Sequence, residues 1–165
     1  MTEPAVFASR AVRSIVELHE QEWRRFFETW DRFIAAGAPM PDARGDADYQ
    51  SPDHLVGHVA RAARNYLTWI GEQLGRPVKD VDLEKDSLKI APRVREFVAE
   101  VLAAWRRHLP AVEDADLEPA TYKSRWGTPM SIEAMLEHAV VHPMRHRIQL
   151  ERILKQSADS DQPSA

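Results

Sequence analysis

Apolar residues recur at intervals of three and four positions in four segments of the chain, with polar and charged residues between them. This spacing is typical of amphipathic helices, whereas a half-buried strand alternates apolar and polar residues. No stretch of the chain shows sustained alternation, so we expect helices and no strands. The predicted helices run from about Ala5 to Ala36, from Ser51 to Leu74, from near Pro92 to the residue before Pro110, and from Pro129 or Ser131 to about Lys155.

The residues at the segment ends support these boundaries. Ser51 is suited to an N-cap, Pro52 to the first helical position and Asp53 to the first turn, where a negative charge interacts favourably with the helix dipole. Gly37 and Gly75 follow the first and second segments, as expected where a helix ends. The chain therefore contains local signals that separate one helix from the next.

Four long amphipathic helices joined by short or moderate loops indicate an all-α fold, a four-helix bundle. A length of 165 residues fits one ordinary domain, which we place at residues 1–156. The remaining residues, 157–165, are small and polar, and we expect them to form a disordered tail.

Composition narrows the classes of function. The chain has no cysteine, which excludes disulfide scaffolds, thiolate metal sites and cysteine nucleophiles. The net charge of −4 argues against a nucleic-acid partner, because affinity for phosphate backbones needs an excess of lysine and arginine. No apolar run approaches the roughly 18 residues of a membrane span, and the N-terminus lacks the apolar region of a signal peptide. We therefore expect a cytoplasmic protein with no membrane partner.

The fourth predicted helix carries two histidines where a plain bundle would place leucine or isoleucine. His142 and His146 lie four residues apart on the apolar face, so their imidazoles are stacked about 6 Å apart along the helix axis. Two histidines with this spacing can converge on one metal ion. Burial without a partner would cost about 1–3 kcal/mol for each polar group. The apolar face comprises Ile132, Met135, Ala139, His142, His146, Gln149 and Ile153.

A catalytic zinc ion usually takes three protein ligands, so a third ligand must come from another helix. His58 is the best candidate, because it lies within about 40° of Ala62 at the centre of the apolar face of the second helix. His54 lies nearer the edge of this apolar face and is better explained as a solvated histidine. His138 either forms a hydrogen bond to a metal-binding histidine or lies at the boundary of the apolar face. His19 is interpreted as a core histidine, with a place in the metal site as the alternative.

Two segments carry a resemblance to a known family. The second helix contains SPDHLVGHVARAARNYLTWI and the fourth contains MLEHAVVHPMRHRIQLERIL. Together they resemble the DinB/YfiT-like metalloenzyme superfamily, which implies a four-helix bundle with up-down-down-up topology. The resemblance implies a metal triad of His58, His142 and His146, with Arg147 and Gln149 following as the family motif expects. Thus the triad that the resemblance implies is the one selected by helix geometry.

The family includes S-transferases and isomerases that depend on a small thiol. The resemblance therefore implies a divalent metal ion, with zinc expected and nickel or iron as alternatives, which activates a low-molecular-weight thiol or water on a small substrate. Because the chain has no cysteine, a thiol must arrive with the small molecule. Arg145 and Arg147 are candidates for binding carboxylates of such a cosubstrate, although solvated surface arginines are the commoner case. No general base or other catalytic residue is identified.

Four further expectations remain open. The alternative to an enzyme is a stress-response or interaction bundle whose metal site is structural or vestigial. Homodimer formation is expected, as in many such bundles. Trp126, which precedes the fourth helix, either lines the mouth of the site or packs over the bundle end, and Pro143 predicts a kink or a widened turn beside His142.

Overall fold

The computed structural model describes residues 6–42, 45–118 and 121–160, and this part of the chain is mostly helical. The prediction of an all-α protein with four long helices is therefore confirmed. A fifth, four-residue helix precedes the third long one. The helices are α1 (Arg10–Ala35), α2 (Pro52–Gln73), α3 (Ser87–Ile90), α4 (Val94–His108) and α5 (Ile132–Ser160).

Serine side chains cap three of the long helices. Ser9 is the N-cap of α1, so the helix starts at Arg10, later than the predicted position near Ala5. Ser51 caps α2 as predicted, and its hydroxyl accepts a hydrogen bond from the backbone N–H three residues further on. Ser131 accepts an equivalent bond at the start of α5, which decides between the two predicted starts of that helix.

The third long helix has a more complex start than the sequence predicts. Asp86 caps α3, and a 3-10 turn at Ala91–Arg93 joins α3 to α4. Pro92 lies in this turn and has no backbone N–H to donate, so the hydrogen-bond pattern of an α-helix is interrupted there. The helical segment therefore begins five residues before the predicted position at Pro92.

The core lies where the long helices meet. Helix α5 packs against both α1 and α2, and α2 also packs against α4. This places α5 beside α2, which a metal site shared by the two helices requires; the up-down-down-up order stays a prediction. Fully buried aromatic and aliphatic side chains fill the centre, among them Trp23, Phe26, Phe33, Leu55, Leu67, Ile70, Phe97, Trp105, Ile132 and Met135.

Gly57 lies inside α2, where glycine is ordinarily unfavourable. A Cβ atom built at this position would lie 2.1 Å from the carbonyl oxygen of Ser87 at the start of α3. Such a distance is far inside van der Waals contact, so only glycine lets the backbones of α2 and α3 approach this closely. Close packing between α2 and α3 thus explains why a glycine lies inside α2.

The expectation of no strands is wrong in one place. Residues Tyr122–Lys123 and Pro129–Met130 form a two-residue antiparallel ladder. Gly127, with a φ of 89°, lets the chain reverse between them, and the Ser124 N–H donates to the Thr128 carbonyl at 2.9 Å. Strands this short leave no alternating pattern in the sequence.

Helix α5 continues as a regular α-helix through Pro143, so the structure contains no widened turn there, and the kink stays a prediction. The helix ends at Ser160, five residues beyond the predicted end at Lys155. Of the predicted disordered tail, residues 157–160 belong to this helix and residues 161–165 lie outside the described part of the chain. None of the helices in the described residues combines the length and apolar character needed to cross a bilayer.

Candidate metal centre

Three histidines from two helices meet inside the bundle. His58 comes from α2, and His142 and His146 come from successive turns of α5. One ring nitrogen from each of the three lies within 4.8 Å of those of the other two. The ring centroids are 5.1 Å apart for His58 and His142, 5.5 Å for His58 and His146, and 4.8 Å for His142 and His146. The helices therefore bring together the same three histidines that the sequence predicts, and such a cluster could hold a metal ion.

The two histidines of α5 are buried, and within the described part of the chain three of their four ring nitrogens lack a well-formed hydrogen bond. His142 is 6% exposed and His146 is 1% exposed. Among the described residues, Nδ1 of His142 and both ring nitrogens of His146 have no hydrogen-bond partner. Buried polar groups are nearly always satisfied, and each unsatisfied one costs about 1–3 kcal/mol. A bound cation would satisfy one nitrogen of each ring, so the donor set fits a metal ion.

The third histidine is oriented by a carboxylate. Nδ1 of His58 lies 2.7 Å from Oδ2 of Asp48, which belongs to the 3-10 turn Ala47–Tyr49 just before α2. The other carboxylate oxygen of Asp48 lies 3.5 Å from the guanidinium of Arg61. A carboxylate at Nδ1 holds the proton on that nitrogen and leaves Nε2 free as a ligand. This is the arrangement that commonly supports a metal-binding imidazole.

Burial keeps the three imidazoles neutral. Desolvation, reinforced by the neighbouring His146 and His58, lowers the pKa of His142 to about 2. Desolvation likewise lowers the pKa of His146 to about 4, and His58 contributes to the shift. The pKa of His58 is lowered by burial and partly restored by the charge of Asp48. Only the neutral imidazole can bind a metal ion, so the environment favours the ligand form at neutral pH.

The family model that matches this chain is that of the DinB family, and the match covers residues 19–159. The chain belongs to the DinB family. The matched region runs from within α1 almost to the end of α5 and includes all three histidines. No curated protein and no solved structure matches the chain. The resemblance seen in the two histidine motifs is thus confirmed at the level of the family.

Aromatic side chains line the DinB-family triad on two sides. The ring of Tyr66 lies 5.7 Å from that of His142, and the ring of Tyr49 lies 5.9 Å from that of His146. Trp126 at the tip of the hairpin packs against His138, with ring centroids 5.4 Å apart, and His138 in turn contacts Tyr66 at 5.3 Å. Trp126 thus contacts residues next to the triad but none of its three histidines, and a role at the mouth of the site stays a prediction.

The two arginines predicted to bind a cosubstrate lie in different environments. Arg145 is exposed and has no hydrogen-bond or ion-pair partner among the described residues, and its charge contributes to the lowered pKa of His142. Arg147 is instead held at the interface of α1 and α5, because its Nε donates to buried Glu22 at 2.5 Å and its NH1 to Glu151 at 3.0 Å. In this structure Arg147 connects two helices, and a role for either arginine in binding a cosubstrate stays a prediction.

The remaining histidines of interest lie outside the triad. His19 is fully buried between α1 and α4, and its Nε2 accepts a hydrogen bond from Trp23 at 3.0 Å, as expected for a core histidine. Nδ1 of His54 lies 2.8 Å from the hydroxyl of its capping residue Ser51. His138 lies at the edge of the site and contacts it through the aromatic rings already described.

The roles of two carboxylates were not identified from the sequence: Asp48 contacts a triad histidine, and Glu22 pairs with Arg147 at the interface of α1 and α5. Asp48 lies in a loop with several other acidic residues, and no spacing distinguishes it from them. Glu22 occupies a buried position of α1. A buried glutamate needs a cationic partner, so its position alone indicates that a lysine or arginine lies nearby. That partner, Arg147, is 125 residues away in the chain, so the sequence did not identify the pair.

Proposed function

We propose that this DinB-family chain is a metal-dependent enzyme that activates a low-molecular-weight thiol, or water, on a small substrate. The observation that supports this proposal is the geometry of the triad: one ring nitrogen of each imidazole lies within 4.8 Å of those of the other two, while the Asp48 carboxylate contacts Nδ1 of His58. A structural role alone would be served equally well by apolar side chains. The ligands would be His58, His142 and His146.

The type of ligand set favours catalysis. Three protein ligands are typical of catalytic zinc, whereas structural zinc sites usually have four. When bound, a divalent ion of this kind acts as a Lewis acid and lowers the pKa of a thiol or water molecule beside it. Histidine nitrogens suit zinc, nickel and iron, with zinc the first expectation.

The chain's own residues prepare the site for this chemistry. Asp48 keeps His58 in the tautomer that presents Nε2, and burial keeps the other two imidazoles in the neutral form. Tyr49 and Tyr66 cover two sides of the triad and reduce the access of water. Because the protein has no cysteine, a thiol that reacts at this site would have to come from the small molecule.

Metal content tests the proposal directly. Tag-free protein, purified without added metal and then reconstituted with zinc, nickel or iron, is analysed by plasma mass spectrometry beside the His142→Ala/His146→Ala double variant. We expect close to one ion per chain in the parent and none in the variant. His54→Ala is the matched control, because His54 lies on the same helix as His58 but outside the triad, and it should retain the metal.

A chain that binds no metal after reconstitution would overturn the proposal and favour a non-enzymatic helical bundle. A metal-loaded chain is then assayed for consumption of small thiols in the presence of electrophiles, and for hydrolysis without a thiol. These two assays separate the thiol-activating and the water-activating form of the enzyme. Homodimer formation and a cytoplasmic location stay predictions, and sedimentation analysis tests the first.

A further inference from the structure

A second polar cavity lies along α2, apart from the three histidines. Its volume is about 450 Å³, and it is bounded by one face of α2, by the loop before α3 and by the β-hairpin. Four cationic side chains line it, together with a single carboxylate from Glu72. This excess of positive charge is unusual in a chain with a net charge of −4. The cations are Arg61, Arg64, Lys85 and Arg125.

Arg64 is the innermost of these cations and lacks a charged partner. The residue is 4% exposed, and its guanidinium donates to the side-chain oxygen of Asn65 and to the backbone carbonyls of Asp82 and Glu84 at 2.9–3.1 Å. All three acceptors are neutral, and within the described residues no carboxylate forms an ion pair with Arg64. Burial and the nearby charge of Arg125 lower its pKa. A buried charge that is only partly compensated is costly, and an anion in the cavity would offset the rest of that cost.

The carboxylates nearest to Arg64 are engaged elsewhere. The Asp82 side chain forms an ion pair with Arg93, outside the cavity. The Glu84 side chain accepts hydrogen bonds from backbone N–H groups of its own loop and lies 3.8 Å from Lys89. Their charges stabilise the Arg64 cation only in part, since its pKa is still lowered. The carboxylate that lines the cavity, Glu72, lies 3.6 Å from the guanidinium of Arg125.

The cavity and the triad share α2, and the hairpin that bounds the cavity also contacts His138 at the edge of the site. Arg61 follows His58 by one turn of α2 and contacts Asp48, the residue that orients His58. Arg125 reaches the cavity wall, where it donates to Thr68 at 3.2 Å. The next residue, Trp126, packs on His138 beside the triad. A small molecule that reaches from the triad past this wall would meet the cationic cavity.

We infer that the cavity binds an oxyanion, a carboxylate or phosphate group, of the small molecule that reacts at the triad. This inference rests on the proposed function and narrows its substrate class to anionic compounds. Guanidinium groups bind both kinds of oxyanion through paired hydrogen bonds, which suits a cavity walled by arginines. The inference assigns anion binding to the cations of this cavity, and binding of a cosubstrate by Arg145 or Arg147 stays a separate prediction.

Anion titration tests the inference without reference to catalysis. Inorganic phosphate and succinate are titrated into the full-length chain by calorimetry, with potassium chloride of equal ionic strength as the reference. We expect a dissociation constant in the millimolar range or tighter for at least one of them. Arg125→Gln and Lys85→Gln should each weaken binding about tenfold or more. Both residues are exposed, so the variants should fold, which circular dichroism and thermal unfolding check.

Arg24→Gln is the matched control, because Arg24 is exposed on α1 and lines a different groove. Unchanged binding in Arg125→Gln and Lys85→Gln, or no binding of either anion by the parent chain, would overturn the inference. The preferred anion identifies whether the group is a phosphate or a carboxylate. The His142→Ala/His146→Ala variant should still bind the anion. A chain that binds anions but no metal would refute the proposed function and leave only an anion site without a role at the triad, whereas a chain that binds metal but no anion would refute only this inference.

Discussion

The carboxylate of Asp48 lies 2.7 Å from Nδ1 of His58, although the two residues belong to different elements. The 3-10 turn that carries Asp48 packs against α2, and it brings the carboxylate to the outer nitrogen of the ring. The contact restricts both the orientation and the tautomer of the imidazole. Asp48 therefore positions His58 and would not itself contact a bound ion.

Replacing this carboxylate should weaken metal binding without abolishing it. In Asp48→Asn the amide oxygen can still accept a hydrogen bond from Nδ1, but the negative charge that raises the basicity of the ring is lost. We expect zinc affinity to fall about 10–100-fold, the usual effect of removing such a partner. Competition with a chelator of known affinity measures the change.

Asp53→Asn is the matched control for this substitution, because Asp53 is exposed in the first turn of α2. It removes the same charge from the same region and should leave the affinity unchanged. An equal loss of zinc affinity in the two variants would show that Asp48 acts only through its negative charge and not through its contact with His58.

His19 should make the metal-free protein less stable as the pH falls. Burial lowers the pKa of His19 from its ordinary value of 6.5 to about 3. Between these values the unfolded chain binds a proton at His19 and the folded chain does not, so the free energy of unfolding decreases with decreasing pH. The contribution of one such group approaches about 1.4 kcal/mol per pH unit.

His19→Gln retains an acceptor for Trp23 but does not titrate. Urea unfolding of the metal-free chain, measured below pH 6.5 in the presence of a chelator, should show a shallower pH dependence in this variant. Trp23→Phe retains the imidazole and should keep the parent slope at a lower overall stability. Parallel pH profiles for the parent and His19→Gln would contradict the prediction.

The ion pair between Glu22 and Arg147 should contribute to the stability of the bundle. Glu22 is 2% exposed and accepts from Arg147 across the interface of α1 and α5. In Glu22→Gln the guanidinium would remain at this interface with only Glu151 as a charged partner. We expect the free energy of unfolding to fall by about 3 kcal/mol, measured by chemical denaturation.

The exposed pair of Arg13 and Glu17 on α1 serves as the comparison. Glu17→Gln removes an ion pair of similar length, 2.9 Å, but one surrounded by solvent. It should lower the free energy of unfolding by less than about 0.5 kcal/mol. Similar losses for the two variants would mean that the buried position of Glu22 has no special importance.

Gly57→Ala should perturb both stability and the metal site. The new Cβ would lie 2.1 Å from a backbone oxygen of Ser87, so α2 and α3 would have to separate. We expect a loss of about 3 kcal/mol in the free energy of unfolding. Zinc affinity should fall as well, because His58 is the next residue of α2. Thermal unfolding and zinc titration measure the two effects.

Gly37→Ala separates this packing effect from the conformational preference of glycine. Gly37 has a φ of 56°, but its Cβ would meet no atom within 4 Å. The cost should be about 1–2 kcal/mol, that of a left-handed conformation alone, with no change in zinc affinity. A Gly57→Ala protein as stable as the parent would show that the two helices can separate without loss.

The sequence by itself determined the four long helices, the Ser51 cap and the three histidines. Helical spacing is local, so residues four apart on α5 share a face in any fold that retains the helix. His142 and His146 were therefore predictable as neighbours, and the angular position of His58 directed it toward the same interior. The short hairpin was missed because strands of two residues have no periodicity of their own.

Only the tertiary structure decided which residues surround the triad. Asp48 reaches His58 through a turn whose acids look alike in sequence, and Glu22 meets Arg147 across 125 residues of chain. Arg61, Arg64 and Arg125 form one cavity because α2 and the hairpin pack together. Such contacts depend on how loops close and how side chains from separate elements fit, and no periodic pattern encodes them. The ligands thus follow from local helix geometry, whereas their charged surroundings follow from long-range packing.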